Sequence, residues 1–303
     1  MKIFVTGAAG FIGSAFCELA LQHGHEIAGL ILPQKAIPLR LRVAGKMTWL
    51  EGTLSAVPWK SIERFQPDVC VHFAWIATPG VYLESPENER HLQWSLDLVH
   101  GLRDIGVNHI VGTGTCIEYR ISEGPLSEDF TPVDPVTLYS RCKNALRETL
   151  AAEAQKDGWQ FCWGRVFYPY GVGEHPARLC SSLIQKLRRG EKLVLTTPHS
   201  RKDYIYIEDL AAAILLTVER KFTGTINWGT GSAVSVREIA NLVATMLGHP
   251  ELVHNQNPPT CDLFPFVVAD TAKLEALGWK PAWVLTHGLR ELICASNISG
   301  TAF

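Results

Sequence analysis

Two patterns alternate along the first two-thirds of the chain. Short, nearly continuous apolar runs read "KIFVTG" (2–7), "HEIAGLIL" (25–32), "MTWLEG" (47–52), "VCVHFAW" (69–75), "HIVGTGT" (109–115) and "QFCWGRVFY" (160–168). Between them, apolar residues recur every three or four positions over about 12–24, 60–66, 87–105 and 138–157. The runs predict strands buried on both faces, and the spaced stretches predict amphipathic helices. Such strands, separated by helices, predict a parallel sheet covered on both sides, the doubly wound α/β arrangement. Past Gly171 the texture changes. A loop, "GVGEHPARL", leads to a helix over 178–189 and a short strand, "LVLTTP". A strand runs into a helix in "DYIYIEDLAAAILLTVER", followed by a strand in "TINWGTG" and a helix in "SVREIANLVATML". The tail "VVADTAKLEALGWKP" ends in an apolar helix and turn. Residues 171–303 read as a smaller, mixed α/β lobe, with some segments returning to the first sheet.

Composition narrows the partners more than the fold. The 303 residues are 47% hydrophobic, enough for a large core in one or two domains. Charged residues make up 19% and the formal net charge is −2, which gives no field for nucleic acid and no polybasic membrane patch. Eight cysteines are scattered without a C-x-x-C pair. They read as small hydrophobes of a reducing cytoplasm, not as metal ligands. Lys2 ahead of an apolar run mimics a secretory leader, but the run carries three glycines and continues into the polar "ELALQHGHE". No uninterrupted apolar run is long enough to predict a spanning helix. The expected location is the cytoplasm.

The three glycines have another use. In "TGAAGFIG", Gly7, Gly10 and Gly13 follow a strand and open a helix with the spacing G-x-x-G-x-x-G. The first glycine permits a tight turn, the second lets backbone approach a pyrophosphate, and the third lets the helix pack closely on the strand. The helix N-terminus adds unpaired N–H groups and a positive dipole end. Residues 1–170 are therefore read as an NAD(P)-binding domain and 171–303 as the substrate lobe. An acid at the end of the second strand would bond the adenine ribose hydroxyls and repel an additional phosphate. Here "GLILPQKAIPLRLR" (29–42) ends the strand on Ile31 and Leu32, with Lys35, Arg40 and Arg42 beyond. Those cations suit the phosphate of NADP, so NADP(H) is favoured and NAD is the alternative.

"YSRCK" sets Tyr139 and Lys143 four apart at the start of a helix, on one face. An ammonium beside a phenol lowers its pKa toward neutrality, as an acid–base catalyst requires. A hydroxyl partner is expected at the carboxyl end of the preceding strand, where "VGTGTCIEY" offers Thr113 and Thr115.

These motifs are joined by "VHFAW" (71–75), "GTGTCIEY" (112–119), "RVFYPYG" (165–171), "KDYIYIEDLA" (202–211), "NWGTG" (227–231) and "ADTAKLEALGWKP" (269–281). Over nearly its whole length the chain resembles the extended short-chain dehydrogenases/reductases of the nucleotide-sugar epimerase, dehydratase and 4-ketoreductase family. The resemblance implies a Rossmann-type fold and a catalytic triad of Thr115, Tyr139 and Lys143. In relatives the catalytic Ser or Thr lies four residues before the tyrosine that ends its motif, here Tyr119. Thr115 and Tyr139 would bond the reacting sugar oxygen, and Lys143 the nicotinamide ribose. Further cofactor contacts are implied for Gly7, Gly10, Phe11, Ile12, Gly13, Phe73, Ala74, Trp75, Thr113 and Tyr168. A homodimer through the helices at 87–105 and 138–157 is implied as well.

Departures from the family pattern narrow the chemistry. Family dehydratases carry an Asp–Glu pair directly after the catalytic threonine, and here Cys116 and Ile117 stand there. Tyr168 replaces an asparagine of the sugar-diphosphate site, and "PPTCD" (258–262) lacks the expected arginine. Tyr168, Arg178, Lys186, Arg201 and Lys202 are left as substrate-binding candidates. His72 is expected to be structural, Asp209 to cap a helix, and Cys116 to be open to solvent. The favoured reading is reduction of a 4-keto group on an NDP-hexose with NADPH, Tyr139 donating the proton, for deoxysugar and polysaccharide synthesis. The alternative is an NDP-sugar 4-epimerase with tightly held NAD. A non-catalytic NADP-binding redox sensor is a third reading, opposed by the presence of both Tyr139 and Lys143.

Overall fold

Strands apolar on both faces must be buried, and five of the six predicted runs are; the third, 48–51, lies at the edge of the sheet with Thr48 and Glu51 exposed. β1 (Lys2–Thr6), β2 (Glu26–Ile31), β3 (Thr48–Glu51), β4 (Val69–His72), β5 (His109–Thr115) and β6 (Gln160–Val166) fall within the apolar runs. They are followed by β7 (Tyr168–Tyr170), β8 (Leu193–Leu195), β9 (Arg201–Tyr206), β10 (Gly224–Trp228), β11 (Ala233–Ser235), β12 (Val253–Asn255) and β13 (Phe266–Val267). The computed structural model describes residues 1–43, 47–256 and 258–298. In it a seven-stranded parallel sheet runs in the order β10-β6-β5-β4-β1-β2-β3. β10 thus joins the large sheet from beyond Gly171. A second sheet orders β11-β9-β13, with β7 also on β9, and β8 pairs with β12. This is a Rossmann-type α/β fold with a smaller mixed α/β lobe.

The helices are α1 (Phe11–Gln22), α2 (Leu39–Val43), α3 (Trp59–Phe65), α4 (Glu87–Asp104), α5 (Leu138–Asp157), α6 (Leu179–Arg188), α7 (Ile207–Glu219), α8 (Val236–Leu247), α9 (Ala272–Ala276) and α10 (Leu285–Ile298). One core joins α1, α6, α7 and α8 to the sheet through residues such as Phe16, Ile184, Ile214 and Val243. A second buries Ile62, Leu98 and Leu146 of α3, α4 and α5 with Trp163 of β6, and a third, smaller one gathers Tyr119, Leu126, Phe167 and Val267. Among the described residues no helix is long and apolar enough to cross a membrane.

Two runs end earlier than their composition predicts. β4 stops at His72 because Ala74 N–H turns to the Thr6 hydroxyl at 3.2 Å. β6 stops at Val166, and Tyr168–Tyr170 leaves the large sheet to pair with β9. Asp209 does not cap α7. It sits in the first turn and accepts the N–H groups of Ala282 and Trp283, tying down the C-terminal segment. α10 carries no clear signal in the sequence, since Gly288 interrupts it. A Cβ at Gly288 would lie 2.4 Å from the Tyr170 hydroxyl, so close packing demands the glycine.

The β5–β6–β10 side of the sheet is built from tryptophan set against glycine. A Cβ on Gly164 would lie 2.1 Å from the buried Trp228 ring, and one on Gly112 would lie 2.6 Å from Trp163. Beside it, His72 bonds Thr6 Oγ1 at 2.7 Å and Ser95 Oγ at 2.9 Å. Burial, with Lys143 adding to it, holds His72 down to about 3 and His91 to about 4. Burial likewise holds His109 to about 4. The folded state therefore keeps these rings neutral, while the unfolded chain protonates them below about pH 6.5. Their contribution is fully present above that pH and is lost as pH falls toward the folded values. Burial pushes Glu128, Glu174 and Asp203 up, which acts in the opposite sense at lower pH. The urea midpoint is expected to be lower at about pH 5 than at about pH 7.5, with at most about 1.4 kcal/mol lost per pH unit per ring. Equal midpoints at those two pH values would contradict this.

Candidate active site

The glycine loop forms a cradle that side chains would fill. Gly7 has φ +68°, and a Cβ there would lie 2.9 Å from the Ala74 nitrogen. A Cβ on Gly13 would lie 2.2 Å from the Gly7 carbonyl oxygen, so α1 packs on β1 as closely as backbone allows. Gly10 precedes α1 without a side-chain cap, and the first-turn N–H groups of Phe11, Ile12 and Gly13 have no partner within the helix. Bare glycine backbone at a helix N-terminus fits a dinucleotide pyrophosphate.

The ribose end differs from the basic pocket that the sequence suggested. Arg40 donates to the Val172 carbonyl at 3.0 Å and lies 3.5 Å from Glu18, so it ties the loop after β7 to α1. Arg42 donates to the Ile37 carbonyl. Lys35 remains exposed beyond β2. Arg40 also borders a cavity of about 750 Å³ with Phe11, Ser14, Glu174 and Leu292, which shares no lining residue with the one around Tyr139.

That second cavity, about 150 Å³, lies at the carboxyl ends of β4 and β5 and is lined by Thr113, Thr115, Tyr139, Lys143, Ile12, Phe73, Trp75, Tyr82, Tyr168 and Arg178, among others. Thr137 opens α5, its hydroxyl accepting the Ser140 N–H at 3.1 Å. Tyr139 N–H donates to Leu83 O at 2.9 Å, and the Tyr82 ring meets Tyr139 edge-on at 4.9 Å. One helical turn on, Lys143 Nζ donates to Thr113 O at 2.8 Å and rests 3.9 Å from the Trp75 ring centroid. The Trp75 indole is itself held by Asn88 Oδ1 at 2.8 Å. The Thr113 hydroxyl is buried without a partner.

The electrostatics correct one expectation. Lys143 Nζ lies 5.9 Å from the Tyr139 ring centroid and is committed to Thr113 and Trp75. The Tyr139 phenol is accordingly pushed up, by burial first and then by Tyr82, Glu118 and Cys116, with Arg178 opposing. Burial pulls Lys143 down to about 7, with Glu118 opposing. Cys116 is buried, not open to solvent, and burial raises its thiol to about 12.

Not all the basic candidates converge. Arg178 lines the cavity at the start of α6. Lys202 is buried and bonds Asp262 Oδ2 at 2.9 Å, with its ammonium 5.5 Å from the Tyr168 ring. Arg201, its neighbour on β9, bonds Ala233 O and does not line the cavity. Lys186 and Ala74 are also outside its lining. Two contributors carry little signal in the sequence: Tyr82 lies in no motif, and the buried Glu118–Arg165 pair shows only as two charges inside apolar runs.

The profile of the NAD dependent epimerase/dehydratase family matches residues 3–229. A UDP-glucose 4-epimerase of Bacillus subtilis is 28% identical, covering 99% of this chain and 98% of its own. One from Corynebacterium glutamicum is 26% identical over 96% and 97%. The structure of a Thermus thermophilus UDP-glucose 4-epimerase in complex with NAD superposes with TM-score 0.85 at 27% identity, covering all of both chains. With three-quarters of its length inside that profile, the chain belongs to the NAD-dependent epimerase/dehydratase family, among the extended short-chain dehydrogenases/reductases that act on nucleotide sugars.

Proposed function

We propose that the protein is a nucleotide-hexose 4-epimerase that keeps NAD as a resident cofactor. One observation carries the reading: Thr115, Tyr139 and Lys143 share one cavity in which the residues after Thr115 do no proton work. Cys116 is a buried thiol held protonated, and Ile117 is apolar. The site is thus equipped to move a single proton at a carbinol oxygen, not to strip a second from a neighbouring carbon. Burial alone keeps the Tyr139 phenol protonated, so its base form requires the positive nicotinamide ring that a bound NAD would place beside it. As that phenolate Tyr139 takes the O4 proton and gives it back, and the Thr115 hydroxyl holds the same oxygen. Lys143, carried one turn along α5, positions the nicotinamide ribose. NAD held there would supply reversible hydride acceptance for C4. Tyr82 and Trp75 wall the cavity and exclude water, and Arg178 offers the sugar diphosphate a cation. The 25–28% identity to UDP-glucose 4-epimerases over nearly whole chains supports this reading. A homodimer through α4 and α5 goes with it.

A second reading, the NADPH-dependent 4-ketoreductase, has its own observation. β2 ends on Ile31 without an acid, and Lys35 is exposed beyond it. The test is to incubate the protein with UDP-glucose and other NDP-hexoses and follow the C4 epimer by proton NMR. Epimer formation without added cofactor is expected. Inertness toward the panel, with NADPH-dependent reduction of an NDP-4-keto-6-deoxyhexose, would replace it with the second reading.

A further inference from the structure

After β5 the chain turns through one 3-10 turn, Cys116–Glu118, and brings the Glu118 side chain back under Thr115. The Glu118 carboxylate is fully buried. Its Oε1 accepts the Thr115 N–H at 2.8 Å. Its Oε2 accepts from Arg165 Nε at 2.8 Å and from Trp163 Nε1 at 3.1 Å. Arg165, 1% exposed, lies 4.1 Å from the Tyr119 ring centroid, and Tyr119 donates to Asn227 Oδ1 at 2.8 Å. Gly114 leaves the space, since a Cβ there would lie 2.5 Å from Glu118 Oε1 and 2.2 Å from Trp163 Nε1.

Burying such a pair is a poor route to stability, because desolvation offsets most of the Coulomb attraction and apolar side chains of like volume would serve the core as well. Its position points elsewhere. We propose that Glu118 is a positioning residue of the active site, fixing the backbone of Thr115 and supplying a buried negative charge at the end of β5, the strand whose Thr113 carbonyl, two residues before Thr115, holds the Lys143 ammonium. The proposal rests on the roles given above to Thr115, Tyr139 and Lys143. Around Lys143 the other ionisable groups are His72 and His91, both held neutral, and the phenol of Tyr139. Glu118 is the charge that opposes the effect of burial on Lys143. Glu118 also bonds Arg165 and acts electrostatically on Arg147, Tyr119, Cys116 and the Tyr139 phenol. Without the carboxylate Lys143 would be a buried cation whose partners are a carbonyl and a ring face.

Glu118→Gln keeps an oxygen for the Thr115 N–H and removes the charge. The readout is the titration of Lys143 in purified protein carrying carbon-13 at lysine Cε, its NMR signal identified by its loss in Lys143→Met. The Lys143 midpoint is expected to fall by about one pH unit, a roughly tenfold weaker hold on its proton. An unchanged midpoint would leave Glu118 a purely structural role and overturn the proposal. Glu118→Gln alone leaves Arg165 buried and unpaired, so Glu118→Gln/Arg165→Met is measured in parallel; a smaller fall is expected there, because loss of the Arg165 cation opposes loss of the carboxylate, and a midpoint unchanged in both variants overturns the proposal. The measurement uses no sugar, so its failure is separate from failure of the epimerase assay.

Discussion

Tyr139→Phe is expected to lower turnover by about 10²- to 10⁴-fold while leaving cofactor content near that of the parent protein. The reason lies in how α5 is set. Thr137 caps the helix and the Tyr139 N–H is tied to Leu83, so removing one hydroxyl leaves the backbone and the Lys143 contact to Thr113 in place. The phenol oxygen is then the only group lost from the cavity. Steady-state rates, together with nucleotide released on denaturation, check both halves of the statement. A parallel loss of bound nucleotide and of rate would remove Tyr139 from the acid–base role and make it a packing residue against Tyr82.

The second large effect is expected at the cradle. Gly13→Ala sets a Cβ 2.2 Å from the Gly7 oxygen and 2.9 Å from the Gly7 carbon, and both are backbone atoms that cannot rotate aside. α1 must move away from β1 or the loop must open, at a cost of about 1–3 kcal/mol for overpacking of this kind. Either movement withdraws the N–H groups of Phe11 and Ile12 from the proposed pyrophosphate site. The variant should purify without nucleotide and melt at a lower temperature. A Gly13→Ala protein with full nucleotide content would show that the cradle is not where the dinucleotide binds.

The large sheet was legible because its strands are apolar on both faces and its helices keep a clean period. α5 was read to its exact ends at Leu138 and Asp157, helped by a threonine cap and by Gly158 in a left-handed turn. The small sheets were less so. β7, β11 and β13 have two or three residues each, too short to show a period, and they exist by pairing with β9. The triad was legible as sequence, since Thr115, Tyr139 and Lys143 each sit in a spaced motif. The direction of the Lys143 ammonium was not, because it depends on Trp75 and the Thr113 carbonyl, which reach it from β5 and the loop after β4. The arginines after β2 misled for a related reason. Their charge is visible in the sequence, but their engagement with the carbonyls of Val172 and Ile37 belongs to the tertiary structure.

The proposed 4-epimerase keeps its cofactor and regenerates it at every turnover, and the balance between product and reduced nicotinamide tests that. The purified protein is given excess UDP-glucose and no added nucleotide, while the C4 epimer and the reduced-nicotinamide absorbance are followed together. Many equivalents of epimer per protein, no net gain or loss of reduced nicotinamide, and NAD in the supernatant after denaturation are expected. Product that forms only as NADPH is consumed, one for one, would contradict the epimerase reading.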